Sequence, residues 1–267
     1  MAPAVTALPR GVVLRLAATA DDLAAAAASE VLALLDAAIG WRGEAHLALS
    51  GGRTPAALHR ALAARPFEGW PFVHVWFGDE RTVPPGHADS NYRMARETLL
   101  DAVPIPPAQV HRLAGEEDTA AAAAAYDAAL LALARAQQRT APAFDVLLLG
   151  MGADAHTASL FPGSPLLAAA PPNPDDPSTT GGTFATAVHV PAMQTWRLTI
   201  TPATLAAARA ILVLVSGDDK HAALSRALGT DASLTDAPVT LLHDVNGDVA
   251  WFVDRAALFG AASRAYS

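Results

Sequence analysis

The sequence predicts an α/β fold: an open, mainly parallel, Rossmann-like sheet with helices on both faces, in a single domain. Three observations carry this expectation. Strand-like and helix-like stretches alternate almost throughout the chain, as β–α–β crossovers require. Val146–Leu149 is an unbroken apolar run, the signature of a strand buried on both faces. That run passes into Gly150-Met151-Gly152, a turn of the kind found beyond the carboxyl ends of parallel strands, where ligands of such folds sit.

Taken in order, Val12–Leu16 reads as a strand and Asp21–Ile39 as an alanine-rich helix introduced by Thr19 or Asp21, both side chains suited to capping. His46–Ser50 is a second strand, followed by a helix from Pro55 to about Ala64. Phe72–Phe77 is a third strand, and a helix around Ser90–Leu100 follows a loop. The Thr119–Gln138 helix leads into the Val146–Leu149 strand. Further strands are expected at Phe184–His189, Arg197–Thr201 and Ile211–Val215, then a helix from Asp218 to Leu228. Strands at Val239–Leu242 and Val249–Val253 close the pattern. No internal repeat is visible. Residues 1–10 read as a flexible tail, and Ala170–Gly182, rich in Pro, Gly, Ser and Thr, as a mobile surface loop rather than a boundary. One domain over residues 1–267 is the expectation.

Composition narrows the function classes. Much of the 52% hydrophobic content is alanine in helical tracts such as Ala24–Ala28 and Ala120–Ala125. No apolar run reads as reaching the roughly 18–20 residues that span a bilayer, and the first residues lack the pattern of a signal peptide. The absence of cysteine removes disulfides, thiolate nucleophiles and cysteine metal sites together. A cytoplasmic enzyme with no membrane partner fits best. The net charge of -8 argues against a nucleic-acid surface, yet a few converging cations can still bind a small anion. Of 18 basic residues, only Lys220 is a lysine, which marks it for a specific role.

Four places carry chemistry. Asp154 and His156 follow the glycine turn after Val146–Leu149. A histidine exchanges protons near neutral pH, and an aspartate two residues away can orient it; a glycine turn with a solvated Asp and a structural His is the plain alternative. Ser50-Gly51-Gly52-Arg53-Thr54-Pro55 joins a strand to a helix start, with Thr54 as cap and Pro55 in the first turn, a setting for phosphate. It is neither the dinucleotide fingerprint nor a P-loop. Asp79-Glu80-Arg81 stands at another strand end, either in a site or pairing its own charges on the surface. Nearby, Asp89 reads as a helix cap, while Asn91 is open to a ligand hydroxyl. Arg197 and Lys220 place cations near a strand end and a helix start. The remaining histidines show no zinc spacing.

Together, SGGRTP, FGDERTVP, ADSNYRMARE, LLLGMGADAHTASLFPGS, RLTIT and VSGDDK resemble the successive motifs of the 6-phosphogluconolactonases, over nearly the whole chain. The resemblance implies the open α/β fold shared with glucosamine-6-phosphate deaminases, and hydrolysis of 6-phospho-D-glucono-1,5-lactone to 6-phosphogluconate in the oxidative pentose phosphate pathway. It further implies His156 as general base with Asp154 and Thr157 in its motif, and Asp79 with Arg81 near the lactone carbonyl. Ser50, Gly51, Gly52, Thr54, Arg197 and Lys220 are implied to surround the phosphate, and Arg53 and Asn91 are added as candidate substrate contacts from the residues themselves. No metal or organic cofactor is called for, and the partner is a phosphorylated sugar lactone, bound by a monomer or a homodimer. One departure is Ala155, where the family has glycine; the loop is therefore expected not to need positive φ there. A deaminase would carry Glu five residues after the histidine, where this chain has Phe161. A sugar-phosphate sensor on the same fold would carry a basic helix-turn-helix segment, for which residues 1–11 are too short.

Overall fold

The computed structural model describes residues 12–168, 182–229 and 232–260. The stretches read as tail and surface loop, residues 1–10 and Ala170–Gly182, lie outside the described residues apart from Gly182.

Six strands form one wholly parallel sheet: β1 (Val13–Ala17), β2 (Ala45–Leu49), β3 (Val73–Phe77), β5 (Val146–Gly150), β8 (Ala210–Val215) and β9 (Asp248–Asp254), in the order β1-β9-β8-β5-β2-β3. Every residue of β2 and β8 is buried. Successive strand residues point to opposite faces, so both faces of the sheet centre are covered, as the apolar runs predict. The strand order reverses between β2 and β5. Loops after those two strands therefore diverge and leave a crevice at the carboxyl edge.

Helix α1 (Ala20–Arg42) starts at Thr19, whose side chain accepts from Asp22 N. It buries Leu23, Ala27, Val31, Leu35 and Ala38 along one stripe, the spacing of one helical face. Leu23 and Leu35 are fully enclosed, each stabilising by roughly 1.5–3 kcal/mol. The most apolar 18-residue stretch of α1 has a mean hydropathy of 1.7, so this 23-residue helix is long and apolar enough, by length and composition only, to cross a membrane. It is not an unbroken apolar run, because Glu30 and Asp36 interrupt it, and it sits against the sheet and against α2 (Arg53–Ala63). Helix α4 (Thr119–Ala136) is fixed to the end of β3 by Tyr126, whose hydroxyl donates to Phe77 O at 3.0 Å and accepts from Phe77 N at 2.8 Å.

Several expectations needed revision. The strands expected at Phe184–His189 and Arg197–Thr201 are β6 (Ala185–Val190) and β7 (Thr195–Ile200), and they lie in a separate antiparallel sheet with β4 (Asp79–Arg81). Gly78 joins the two sheets: its N–H donates to Leu49 O at 2.9 Å and its carbonyl accepts from Ile200 N at 3.0 Å. The strand expected at Val239–Leu242 is instead a 3-10 helix, Pro238–Asp244. Pro238 at its start supplies no ladder donor, and a short buried apolar run does not by itself distinguish strand from helix. The helix around Ser90–Leu100 is α3 (Asn91–Ala95) continued by a π-helical turn, Arg96–Leu100. The Asp218–Leu228 helix divides into a 3-10 turn, Asp218–Lys220, and α6 (His221–Ala227). Short helices α5 (Pro202–Ala207) and α7 (Arg255–Phe259) had not been anticipated.

Candidate active site

The loop after β5 is closed on itself. Gly152 N donates to His156 O at 2.9 Å, Ala155 N to Gly152 O at 3.0 Å, and Thr157 Oγ1 to Gly150 O at 3.0 Å. Val239 N, from the 3-10 helix misread as a strand, donates to Ala155 O at 3.1 Å. Ala155 has φ of +67°, so the loop does need the left-handed conformation that alanine was expected to exclude. That conformation costs alanine roughly 1–2 kcal/mol. Complete burial of its methyl group and the two hydrogen bonds across its peptides offset the cost.

His156 is held within its own loop. Its Nδ1 lies 2.6 Å from Asp154 Oδ1, which also accepts from His156 N at 3.1 Å. Burial acts to raise the Asp154 carboxyl, but the hydrogen bond and charge of His156 hold it below the usual carboxylate range. An ionised acceptor places a proton on Nδ1, so in the neutral imidazole Nε2 is the nitrogen that can accept one. Phe161 covers the other side of the imidazole, ring centroids 4.3 Å apart.

The Asp79-Glu80-Arg81 cluster does not pair its own charges on the surface. Glu80 is 2% exposed and accepts from Arg81 N, Asn91 N, Tyr92 N and Ser90 Oγ at 2.8–3.0 Å. Burial pushes its carboxyl up, against the pull of those four donors. Glu80 and Ser90, which accepts from Arg93 N, cap α3; Asp89 is exposed and does not. Asp79 accepts from Asn91 Nδ2 at 3.0 Å and from Ser159 Oγ at 2.7 Å, tying the histidine loop to β4. The buried Asn91 Oδ1 rests over the Cα of Gly51 without a hydrogen-bond partner among the described residues.

Arg81 and Arg197 are direct cross-strand neighbours in β4 and β7. Burial first, and then the Arg81 charge, lower the Arg197 pKa. Neither arginine makes a side-chain ion pair among the described residues. Like charges directly opposite one another destabilise a sheet, so the pair is poised for an anion. Arg81 is also held by Asp89 O, 2.5 Å from its Nη1.

Helix α2 begins at Arg53 rather than Pro55, with Gly52 at φ +102° as its cap residue and no capping side chain. Thr54 is therefore not the cap. An uncapped first turn leaves backbone N–H groups for a ligand, with the positive end of the helix behind them. Across the crevice, Lys220 sits in the 3-10 turn after β8, its Nζ 3.3 Å from Asp219 Oδ2.

These elements enclose a cavity of about 200 Å³ lined by Ser50, Gly51, Gly52, Asp79, Arg81, Asn91, Gly150, Met151, Gly152, His156, Ala158 and Lys220. Eight of the residues singled out in the sequence thus meet in one place. Asp154 stands behind His156 rather than in the cavity, and Arg197 lines an adjoining recess that shares Arg81. Arg53 is exposed, Thr54 is outside the lining, and Thr157 is buried with its hydroxyl on Gly150. Sequence reading gave no separate role to Glu80 and Ser159, although both lie inside quoted motifs, and it missed Asp254, which lies in none. Among the described residues, no three His, Asp or Glu side chains are grouped to hold a metal ion.

Residues 18–251 match the profile of the family described as glucosamine-6-phosphate isomerases/6-phosphogluconolactonase. The chain belongs to that family. It is 41% identical to the 6-phosphogluconolactonase of Pseudomonas putida over 239 residues, covering 89% of this chain and 92% of that protein. It is 37% identical to the 6-phosphogluconolactonase of Synechocystis over 221 residues, covering 82% and 86%. Its fold superimposes on the solved 6-phosphogluconolactonase of Trypanosoma brucei with a TM-score of 0.75 at 28% identity, covering 94% of this chain and 98% of that one. Within the family, the position five residues after the histidine is Phe161 here, and its ring packs on His156. No acid/base group stands at that position.

Proposed function

We propose that the protein is a 6-phosphogluconolactonase, hydrolysing 6-phospho-D-glucono-1,5-lactone to 6-phospho-D-gluconate in the oxidative pentose phosphate pathway. The observation that carries the reading is the Asp154–His156 pair: an imidazole that lines the cavity, its Nδ1 held by a carboxylate kept ionised. Opening a lactone needs an activated water, a stabiliser for the tetrahedral oxyanion and a proton for the leaving ring oxygen. His156 Nε2 takes the proton from water, a step worth about 10²–10⁴-fold. Arg81 supplies fixed positive charge where the oxyanion develops. The imidazolium then returns its proton to the ring oxygen, and the C–O bond breaks to give the free acid.

The phosphate is assigned to the Ser50–Gly52 loop and the first turn of α2, with Lys220 and Arg197 as its cations. Held there, it orients the ring and lends binding energy to the chemistry. Asn91 Oδ1, buried and short of a donor, suits a ring hydroxyl. Asp79 acts by orienting Asn91 and Ser159 rather than by touching the reacting atoms. The reading calls for no cofactor, and a cytoplasmic location and a monomer or homodimer remain its expectations. A coupled assay that generates the lactone from glucose 6-phosphate, corrected for spontaneous hydrolysis, tests the activity. Rates no faster than the uncatalysed background contradict it.

A further inference from the structure

The last residue of β9, Asp254, is a buried carboxylate that no motif contains. The parallel register pairs Val215 with Val253, which sets Asp254 beside the loop leaving β8. Its carboxylate is 4% exposed at the residue level and meets donors alone: Ser216 Oγ at 2.6 Å, Gly217 N at 3.2 Å from each oxygen, and Ala257 N at 2.7 Å. The Ala257 bond caps α7. The other bonds have no role in capping; they fix the loop. Gly217 takes φ of +103° and ψ of 149°, a conformation open in practice to glycine only. Its carbonyl in turn accepts from Lys220 N at 3.1 Å. A chain of contacts thus runs from the Asp254 carboxylate through the Gly217 peptide to the turn that presents the only lysine.

From this chain we infer that Asp254 is a positioning residue for phosphate recognition: by holding Ser216 and Gly217 it sets where the Lys220 ammonium stands in the cavity. The inference rests on the reading that Lys220 binds the substrate phosphate. An unanchored loop with a positive-φ glycine samples other conformations, and an ammonium displaced by an ångström loses much of its value as an anion partner.

Asp254→Ser separates the two roles of the carboxylate. Serine still caps α7 but is too short to hold Gly217. The readout is the ratio of kcat/KM on the 6-phosphorylated lactone to kcat/KM on unphosphorylated glucono-1,5-lactone, measured with Lys220→Ala and the double variant alongside. D254S is expected to lower the ratio about 10-fold, through a raised KM, and K220A to lower it about 10–150-fold. Because the two act as one unit, the double variant should match K220A alone. Equal losses on both lactones in D254S, or a fall in thermal stability with the ratio unchanged, overturn the inference. K220A without effect on the ratio contradicts the Lys220 reading itself, a distinct outcome. If D254S does not fold, Ser216→Ala removes one donor from the carboxylate and should lower the ratio about 3-fold; an unchanged ratio overturns the inference equally.

Discussion

The imidazole of His156 lies directly on the Cα of Gly152. A methyl group at position 152 would fall 2.1 Å from Nδ1 and 2.5 Å from Asp154 Oδ1. Gly152 is needed for space rather than for its backbone angle, since it has no positive φ.

Gly152→Ala should therefore separate His156 from Asp154 while leaving the phosphate contacts alone. Displacing a catalytic group by about 1 Å can cost roughly 10²-fold. The expected result is a kcat lowered by about 10–100-fold with KM changed by no more than a few-fold. Steady-state kinetics of the purified variant checks this, and an unchanged kcat shows that the pair tolerates displacement.

The Arg81–Arg197 pair makes a prediction with two signs. Without ligand, Arg197→Ala removes repulsion between cross-strand neighbours, so its melting temperature should equal or exceed that of the wild type. With substrate, kcat/KM on the phosphorylated lactone should fall roughly 10–150-fold, and the unphosphorylated lactone should be little affected. Added inorganic phosphate should raise the wild-type melting temperature more than that of R197A. Equal stabilisation of both proteins removes Arg197 from the anion site.

At position 155, the structure predicts opposite tolerance for two small changes. Ala155→Gly relieves the left-handed strain but loses a buried methyl, worth about 0.8 kcal/mol, so its melting temperature should stay within about 2 °C of wild type. Ala155→Val places a β-branched residue at positive φ in a filled site. A loss of about 2–3 kcal/mol, or roughly 5–10 °C, is expected. Thermal denaturation distinguishes them; similar values for both variants contradict the backbone geometry.

What the sequence made legible, and what it did not, follows from where the information is local. Buried parallel strands such as Val146–Gly150 announce themselves because both faces are covered and every residue is apolar. The glycine turn carrying Asp154 and His156 is legible because one short segment holds both members of the hydrogen-bonded pair. Asp254 was not, because its partners Ser216 and Gly217 are 38 and 37 residues away in sequence and only the parallel register brings them together. The antiparallel sheet was hidden for the same reason: alternation shows that β6 and β7 are strands, but not which sheet they join. Ala155 misled because a residue's preference was taken for the loop's requirement, and the surrounding hydrogen bonds override that preference.

Two histidines, one enclosed and one half-buried, imply a defined response to acid. His59 is fully enclosed, and burial together with the Arg60 charge lowers its pKa to about 3; burial and the charges of His74 and His46 lower that of His111 to about 4. In the unfolded chain both titrate near 6.5, so below that pH the unfolded state binds protons that the folded state refuses. The contribution of these two groups to stability is then full above about pH 6.5 and declines as pH falls toward 4 and 3. His59→Leu removes one of these protons, along with a buried Nε2 that has no partner among the described residues. The difference in melting temperature between pH 8 and pH 5 should shrink in this variant; an unchanged or larger difference shows that His59 does not titrate on unfolding as assigned.

The most direct measurement of the central claim is kcat for His156→Asn, with the lactone generated from glucose 6-phosphate in the assay and spontaneous hydrolysis subtracted. Asparagine fills similar space and cannot accept the proton of water at neutral pH. If His156 is the general base, kcat falls at least about 10²-fold, while the melting temperature and KM remain close to wild type. A kcat within a few-fold of wild type contradicts the proposed mechanism.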